Sequence, residues 1–341
     1  MNNHMILRSP AIASAAASDY YTFCNDLHRH SFASEAEKAL AAQLDFKRIT
    51  PDNMQLVWSF LQRESGRTTD FSYGGTLMWV DYFHYEFAIL NDTLFIKGRV
   101  ESDVSKVAFS LPVGKMPLSM SVAILKDYCI AEGIPLIFSA VPEYAIDEFR
   151  DLQPSSVEEL PDWADYLYSA ASLSTLSGKK YGKKRNHVNQ FLAAYPDYTF
   201  SPMTPDDVPE ALQFMDAIDA EGDDTPMATT ERQLNREMLG YMADADPVLS
   251  GGVLRDAQGN LLAFTIGDIK GDTLFIHIEK ALRDVPGGFE MINKSFAAYM
   301  CGLHPEIQYI NREDDAGDPG LRYAKESYHP VEMLRKFNVA F

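Results

Sequence analysis

The chain of 341 residues is 46% hydrophobic and 23% charged, and its 30 Lys and Arg against 49 Asp and Glu leave a formal net charge of −19 at pH 7. These proportions suit two folded domains and exclude a disordered tail; the excess of acid excludes a general nucleic-acid coat, so any anion-binding site must be local. With no apolar run near the ~20 residues of a membrane-spanning helix, no leucine-rich centre in the small-residue stretch 11–17 and only Cys24, Cys129 and Cys301 as thiols, the expectation is a reduced cytoplasmic protein.

In chain order, residues 1–44 show no strand pattern and form an N-terminal extension, with 34–44 reading as an Ala-rich helix. From there the chain repeats itself. Phe46, Thr50, Pro51 and Asp52 recur as Phe200, Thr204, Pro205 and Asp206, each 154 residues further on. Both copies predict a short strand and then a helix, with Thr as N-cap, Pro at the first helical position and Asp in the first turn. Asp92-Thr-Leu-Phe-Ile96 recurs as Asp272-Thr-Leu-Phe-Ile276, each as the second arm of a hairpin begun by 85–90 and 261–269. Helices over 118–132 and 289–302 follow, then apolar strands over 134–141 and 307–311. The order strand, helix, hairpin, helix, strand, then a last helix and strand predicts an α+β protein. It resembles two tandem duplicated GNAT-like (acyl-CoA N-acyltransferase) domains with mixed central sheets flanked by helices. The expected divisions are the extension 1–44, a first GNAT-like domain 45–172, a basic linker helix 173–198 and a second GNAT-like domain 199–341.

The linker is the most unusual segment. Five of the seven positions 179–185 are basic, whereas residues 201–250 hold two basic and twelve acidic side chains. On a helical wheel Lys179, Lys180, Lys183, Lys184 and His187 fall on one stripe, with Tyr181, Val188, Leu192 and Tyr195 opposite. Arg185 adds to the charge. Like charges one turn apart repel, so the row predicts a bound polyanion: a phosphodiester backbone, a phospholipid headgroup or a cofactor phosphate. The plainer reading is a solvated helix whose lysines pair with the acidic stretch behind it.

The two copies differ in chemistry. In the second, the strand 307–311 runs into Asn311-Arg-Glu-Asp-Asp315, Glu279 and Lys280 close the preceding hairpin arm, and a helix opened by Asp318-Pro319 sets Arg322 and Lys325 on one face. Acyl transfer needs a base for the attacking amine or hydroxyl and a positive donor for the developing oxyanion. Glu313 or Glu279 suits the first role, and Lys280, Arg312 or Lys325 the second; strand alternation puts Asn311 and Glu313 on the face opposite Arg312. The competing reading is an ion-pair network that holds the last helix. Coenzyme A is the alternative donor, but Arg283-Asp-Val-Pro-Gly-Gly288 has Pro286 where its pyrophosphate loop needs an N–H. No metal set is expected, since His28 and His30 have no further ligands nearby. Tyr73-Gly-Gly75 reads as a turn, and Trp58, Trp79 and Trp163 as packing residues.

Ala164-Asp-Tyr-Leu-Tyr168 with 173–191 (LSTLSGKKYGKKRNHVNQF) resembles the signature of the phosphatidylglycerol lysyltransferase C-terminal domain family in its short soluble form. Ile278-Glu-Lys280, Gly287-Gly-Phe-Glu-Met-Ile-Asn293, the 309–315 motif and Gly320-Leu-Arg-Tyr-Ala-Lys325-Glu-Ser-Tyr328 agree with it, so the resemblance spans roughly 44–341. It implies the tandem GNAT-like fold of the Fem-type transferases, and an aminoacyl group moved from aminoacyl-tRNA to an amine or hydroxyl acceptor. It also implies a basic helix that approaches the tRNA acceptor end. The membrane-bound members act on lipid headgroups; this chain lacks their multi-helix membrane domain, so contact with anionic headgroups would be transient. Two alternatives are a coenzyme-A-dependent N-acetyltransferase and a non-catalytic module for RNA or anionic headgroups.

Overall fold

Thr50 and Thr204 open their helices as paired N-caps. The Thr50 amide donates to Asn53 Oδ1 at 2.9 Å and the Thr204 amide to Asp207 Oδ2 at 2.8 Å, so each helix begins in a closed capping box. The structure, a computed structural model, describes residues 35–219, 226–244 and 246–341. The Ala-rich helix covers Glu35–Ala41; Cys24, His28 and His30 lie outside the described residues.

Two sheets carry the fold. The first takes the order β1 (Lys47–Arg48), β2 (Glu86–Leu90), β3 (Thr93–Val100), β4 (Asp103–Phe109), β6 (Ile137–Pro142), β15 (Lys336–Ala340), β7 (Ser156–Glu159), with β5 (Val113–Gly114) beside β3. The second takes the order β9 (Thr199–Pro202), β10 (Ser250–Arg255), β11 (Leu261–Lys270), β12 (Thr273–Ala281), β13 (Tyr309–Asn311), β8 (Asp165–Ser169), β14 (Glu332–Leu334). In each, the fourth and fifth strands run parallel, β4 with β6 and β12 with β13, and the other pairs are antiparallel. The two halves therefore share one GNAT-like plan.

The plan corrects two expectations. The repeated Asp-Thr-Leu-Phe-Ile words occupy different places: β3 is third in its sheet and β12 fourth, so β12 corresponds to β4 and the second word match does not mark equivalent strands. A hairpin arm recurs because its pattern of alternating apolar residues is generic. The boundaries at 172 and 341 also cut across the sheets. β8, expected in the first domain, sits between β13 and β14; β15, expected in the second, sits between β6 and β7. Each half lends the other its sixth strand. At their starts the two exchanged strands are tied together: Lys336 Nζ lies 2.9 Å from Asp165 Oδ1 and 2.9 Å from Asp70 Oδ2.

The cores follow the exchange. One lies under the first sheet and includes Phe337 and Val339 of β15 with Phe109, Phe138 and Phe149. A second, under the other sheet, includes Tyr168 of β8 with Phe191, Phe296 and Ile310. The third is shared, joining Met54, Val57 and Leu77 of the first half to Met238, Phe264 and Ile278 of the second. Burial of large apolar side chains across that seam, at about 1.5–3 kcal/mol each, fixes the halves against one another.

Candidate functional site

β12 and β13 pair in parallel only from Thr273–Tyr309 to Phe275–Asn311. Beyond that point β12 continues to Ala281 while the other chain turns away at Arg312, and the splayed strand ends open a crevice of the kind α/β sheets use for ligands. A cavity of about 600 Å³ fills it, lined by both strand ends, by Lys184 and His187 of the basic helix, by Glu231, and by Lys325 and Tyr328. That size accommodates a small-molecule moiety.

The backbone at the turn overrides simple alternation. Glu313 has φ 58°, in the left-handed region, and its amide donates to Asn311 Oδ1 at 2.7 Å. As a result Arg312, Glu313 and Asp314 all line the cavity, and the expected opposition of Glu313 and Arg312 does not hold. Asn311 does not line it. Its side chain is buried and donates to the Arg67 carbonyl at 2.7 Å and to Asp165 Oδ2 at 2.9 Å, bracing the junction with β8. Arg322 is likewise outside the cavity: it pairs with Asp162 and Asp315 at 2.8 Å each and clamps the loop 315–318. For these two the ion-pair or packing reading is the one the geometry supports.

Inside the cavity the expected residues have distinct employments. Arg312 Nη2 bonds Glu279 Oε1 at 2.7 Å and the guanidinium lies 4.7 Å from the Tyr328 ring centroid; its Nη1 is buried without a hydrogen-bond partner among the described residues. Glu279 also accepts from Asn293 at 2.9 Å. Lys280 pairs with Glu231 at 2.7 Å. Lys325 is buried, and its ammonium donates to the carbonyls of Arg312, at 2.6 Å, and Asp314; burial lowers its pKa. It holds the shape of the 312–314 turn.

Two groups stand out that sequence reasoning passed over. His277 is enclosed between carboxylates, Nε2 2.5 Å from Asp268 and Nδ1 2.8 Å from Glu313. Burial works against its charge, but these bonds raise its pKa to about 10, which favours an imidazolium whose single charge is shared by Asp268 and Glu313. The Tyr73-Gly-Gly75 segment, expected as a turn, is the first turn of the helix Tyr73–Trp79, and its Tyr73 and Gly74 amides donate to Asp268 at 3.4 and 2.9 Å. A Cβ on Gly74 would stand 2.5 Å from the His277 ring; glycine is required by that contact. Asp314 is the second. Burial pushes its carboxyl up to about 6, against the pull of Lys336 and with the help of Asp165. A lone His after Phe-Ile in a strand, or the third acid of a run, carries no sequence signal of this kind.

The basic helix is Gly182–Ala194, preceded by a short 3-10 turn over Lys179–Tyr181. The row is split. Lys179, Lys180 and Lys183 are exposed and hold no ion pair among the described residues. Lys184 and His187 both face Glu290, at 3.3 and 2.9 Å, and Lys184 lies 3.7 Å from the Tyr328 centroid. Arg185 Nη1 donates to the carbonyls of Leu176 and Gly178 at 2.5 and 2.6 Å, closing the bend that precedes the helix. Val188 and Tyr181 are buried as expected, whereas Leu192 is 38% exposed.

Gly287, N-cap of the helix Gly288–Leu303, has φ 72°. A Cβ there would lie 2.1 Å from the His187 carbonyl oxygen. Main chain of the basic helix thus packs against Gly287, while Phe289 and Glu290 of the same first turn line the cavity.

Among the described residues no helix is long and apolar enough to cross a membrane, and no group of His, Cys, Asp and Glu could hold a metal ion. Residues 62–340 match the family described as "Phosphatidylglycerol lysyltransferase, C-terminal". A conserved protein of unknown function from Bacteroides thetaiotaomicron is 30% identical, with a TM-score of 0.79 over 87% of this chain and 99% of that one. The fold is shared with L-PGS from Bacillus licheniformis, 16% identical with a TM-score of 0.59 over 86% and 92% of the two chains. It is shared too with FemX, 10% identical with a TM-score of 0.59 over 87% and 98%. An uncharacterized protein of Mycoplasmoides gallisepticum is 24% identical over 177 residues, 51% of this chain and 55% of that protein, so the chain spans about half the length of this curated relative.

Proposed function

The chain belongs to the phosphatidylglycerol lysyltransferase C-terminal family, and from that premise we propose that it moves an aminoacyl group from aminoacyl-tRNA to an amine or hydroxyl acceptor inside the larger cavity. The observation that carries the reading is the conjunction, on two residues of one turn, of a buried guanidinium with one nitrogen left without a partner and a carboxyl whose pKa burial raises. Arg312 lines the cavity and its Nη1 is buried without a hydrogen-bond partner among the described residues, and burial pushes the Asp314 carboxyl up to about 6. Together they supply what aminoacyl transfer needs.

Asp314 as carboxylate takes a proton from the acceptor amine or hydroxyl, whose lone pair attacks the ester carbonyl carbon of the aminoacyl group. Arg312 Nη1 donates to the oxyanion that forms. Collapse breaks the ester bond to the terminal ribose, and the proton on Asp314 passes to the departing ribose oxygen. Glu279 orients Arg312 through its Nη2, and Lys325 holds the turn that presents both groups. Lys179, Lys180 and Lys183, exposed beside the cavity-lining Lys184, favour a donor that carries phosphates. Coenzyme A is disfavoured by Pro286, which removes an N–H donor from the loop where a pyrophosphate cradle would lie.

The test is a transfer assay with radiolabelled aminoacyl-tRNAs and a panel of amine, hydroxyl and anionic-lipid acceptors, run beside acetyl-coenzyme A. Label leaving tRNA for an acceptor, with none moving from acetyl-coenzyme A, is the expected result. Acetyl transfer alone, or tRNA binding without any loss of label, would overturn the proposal.

A further inference from the structure

A second, smaller cavity of about 140 Å³ meets the first at Trp79, Glu313, Asp314 and Ala316, and of the groups given a part in transfer above only Asp314 lines it. Its walls are of two kinds. Trp79, Tyr82, Tyr85 and Trp163 give it aromatic surface, and the first two are held edge to face at 5.5 Å. Asp70, Glu101, Glu313 and Asp314 give it four carboxyls against one lining ammonium, that of Lys336. Lys336 is already engaged by Asp70 and by Asp165. Glu101 is not satisfied: its Oε2 is buried without a hydrogen-bond partner among the described residues, and burial, then the nearness of Asp70, raises its pKa well above the ordinary carboxylate range.

Aromatic faces and surplus carboxylates share one preference, an organic cation. Ring faces attract ammonium groups through their quadrupoles, and an unpartnered buried carboxyl gains most from a ligand that brings positive charge. Against an anion stand the four lining carboxyls, and the one lining ammonium, that of Lys336, is already engaged. The cavity is also far smaller than those that enclose drug-sized molecules, so it takes a headgroup and not a nucleotide. The basic helix contributes Lys184 and His187 to the larger cavity and nothing to the smaller one. A phosphate-bearing donor therefore belongs in the first, and the second is left for the other reactant.

We propose that the smaller cavity is an acceptor subsite that recognises an organic ammonium group, primary or methylated, as the handle of the acceptor molecule, with Trp163 and Glu101 as its recognition residues. This assignment rests on the aminoacyl-transfer reading for the word acceptor, but ammonium binding itself does not.

The experiment is calorimetric titration of the full chain with ethanolamine and with choline, against the uncharged carbon isostere of choline, with tryptophan fluorescence as a second readout. Saturable binding of a cation, at least tenfold tighter than the neutral isostere and weakened about tenfold by Trp163→Leu or Glu101→Gln, is expected. Tighter ethanolamine identifies a primary amine, and tighter choline a methylated ammonium. Equal binding of the isostere, no saturable binding, or cation binding that these variants leave untouched and Lys184→Ala abolishes would each overturn the subsite. Variant melting curves identify loss through unfolding, in which case Trp163→Phe and Glu101→Asp repeat the titration. Cation binding without aminoacyl transfer would sink only the proposed reaction, and transfer without cation binding only the subsite.

Discussion

Lys336 and Asp165, the opening residues of the two strands that change sheets, meet at 2.9 Å with side chains 1% and 0% exposed. Burial disfavours the Lys336 charge, yet Asp165 and Asp70 hold its pKa well above the usual lysine value. A buried pair of this sort often adds little net stability over apolar packing, but removing one partner strands the others. Lys336→Met is therefore expected to cost about 3–5 kcal/mol in denaturant unfolding, and Lys336→Met combined with Asp165→Leu less than the sum of the two single variants. Simple additivity would show that the two residues are independent.

His277 makes stability depend on pH in the alkaline range. Its folded pKa of about 10 lies above the ordinary 6.5, so the favourable contribution is complete below about pH 6.5 and is lost as pH rises towards 10. Melting temperature of the wild type should fall between pH 7 and 10 more steeply than that of His277→Gln. Parallel curves would assign the alkaline loss to other groups.

Under the proposed reaction, Asp314 is expected to set the pH dependence of transfer. The rate should rise with pH through about 6 as the carboxylate forms. Asp314→Asn should lose that inflection and roughly 10²–10⁴ of the rate, with tRNA affinity unchanged. Retention of the inflection in the variant would move the base elsewhere.

Gly287→Ala tests the packing of the basic helix on the second domain. The substitution puts a methyl 2.1 Å from the His187 carbonyl and forces a left-handed residue. A loss of at least about 1–2 kcal/mol is expected, together with weaker tRNA binding; unchanged melting would show that the helix yields freely.

The exposed end of the basic row should act by charge alone. Alanine at Lys179, Lys180 and Lys183 is expected to reduce the slope of log affinity for tRNA against log salt by about 0.7–0.9 for each phosphate that is no longer neutralised. Melting should not change, because these side chains are exposed. Lys184→Ala should behave differently, since it removes a partner of the half-buried Glu290.

Much of the local structure is legible residue by residue. Thr50 and Thr204 announce their caps, Asp318 its helix, whose Leu321 amide it accepts at 2.6 Å, and Gly133 the end of Leu118–Glu132 through a φ of 67°. Local chemistry writes such signals into neighbouring positions. The site is half legible: Arg312, Glu313, Glu279, Lys280 and Lys325 gather as expected, but Asn311 and Arg322 do not. The left-handed Glu313 rotates the turn in a way that strand alternation does not foresee. His277 and Asp314 owe their chemistry to burial and to Asp268 and Asp165, partners brought in by other strands. The exchange of β8 and β15 is hidden for a related reason, because a five-residue apolar strand pairs equally well with either sheet.

That exchange sets a timetable for synthesis. Every other strand of the first sheet precedes Ser169, whereas β15 is made only after about 170 further residues, roughly ten to thirty seconds later on a ribosome. Until then β6 and β7 face a gap with unpaired backbone on both sides. The emerging chain spends that interval with a sheet edge open to any passing strand, so production of this protein should reward fast elongation through its second half or a chaperone that shields β6.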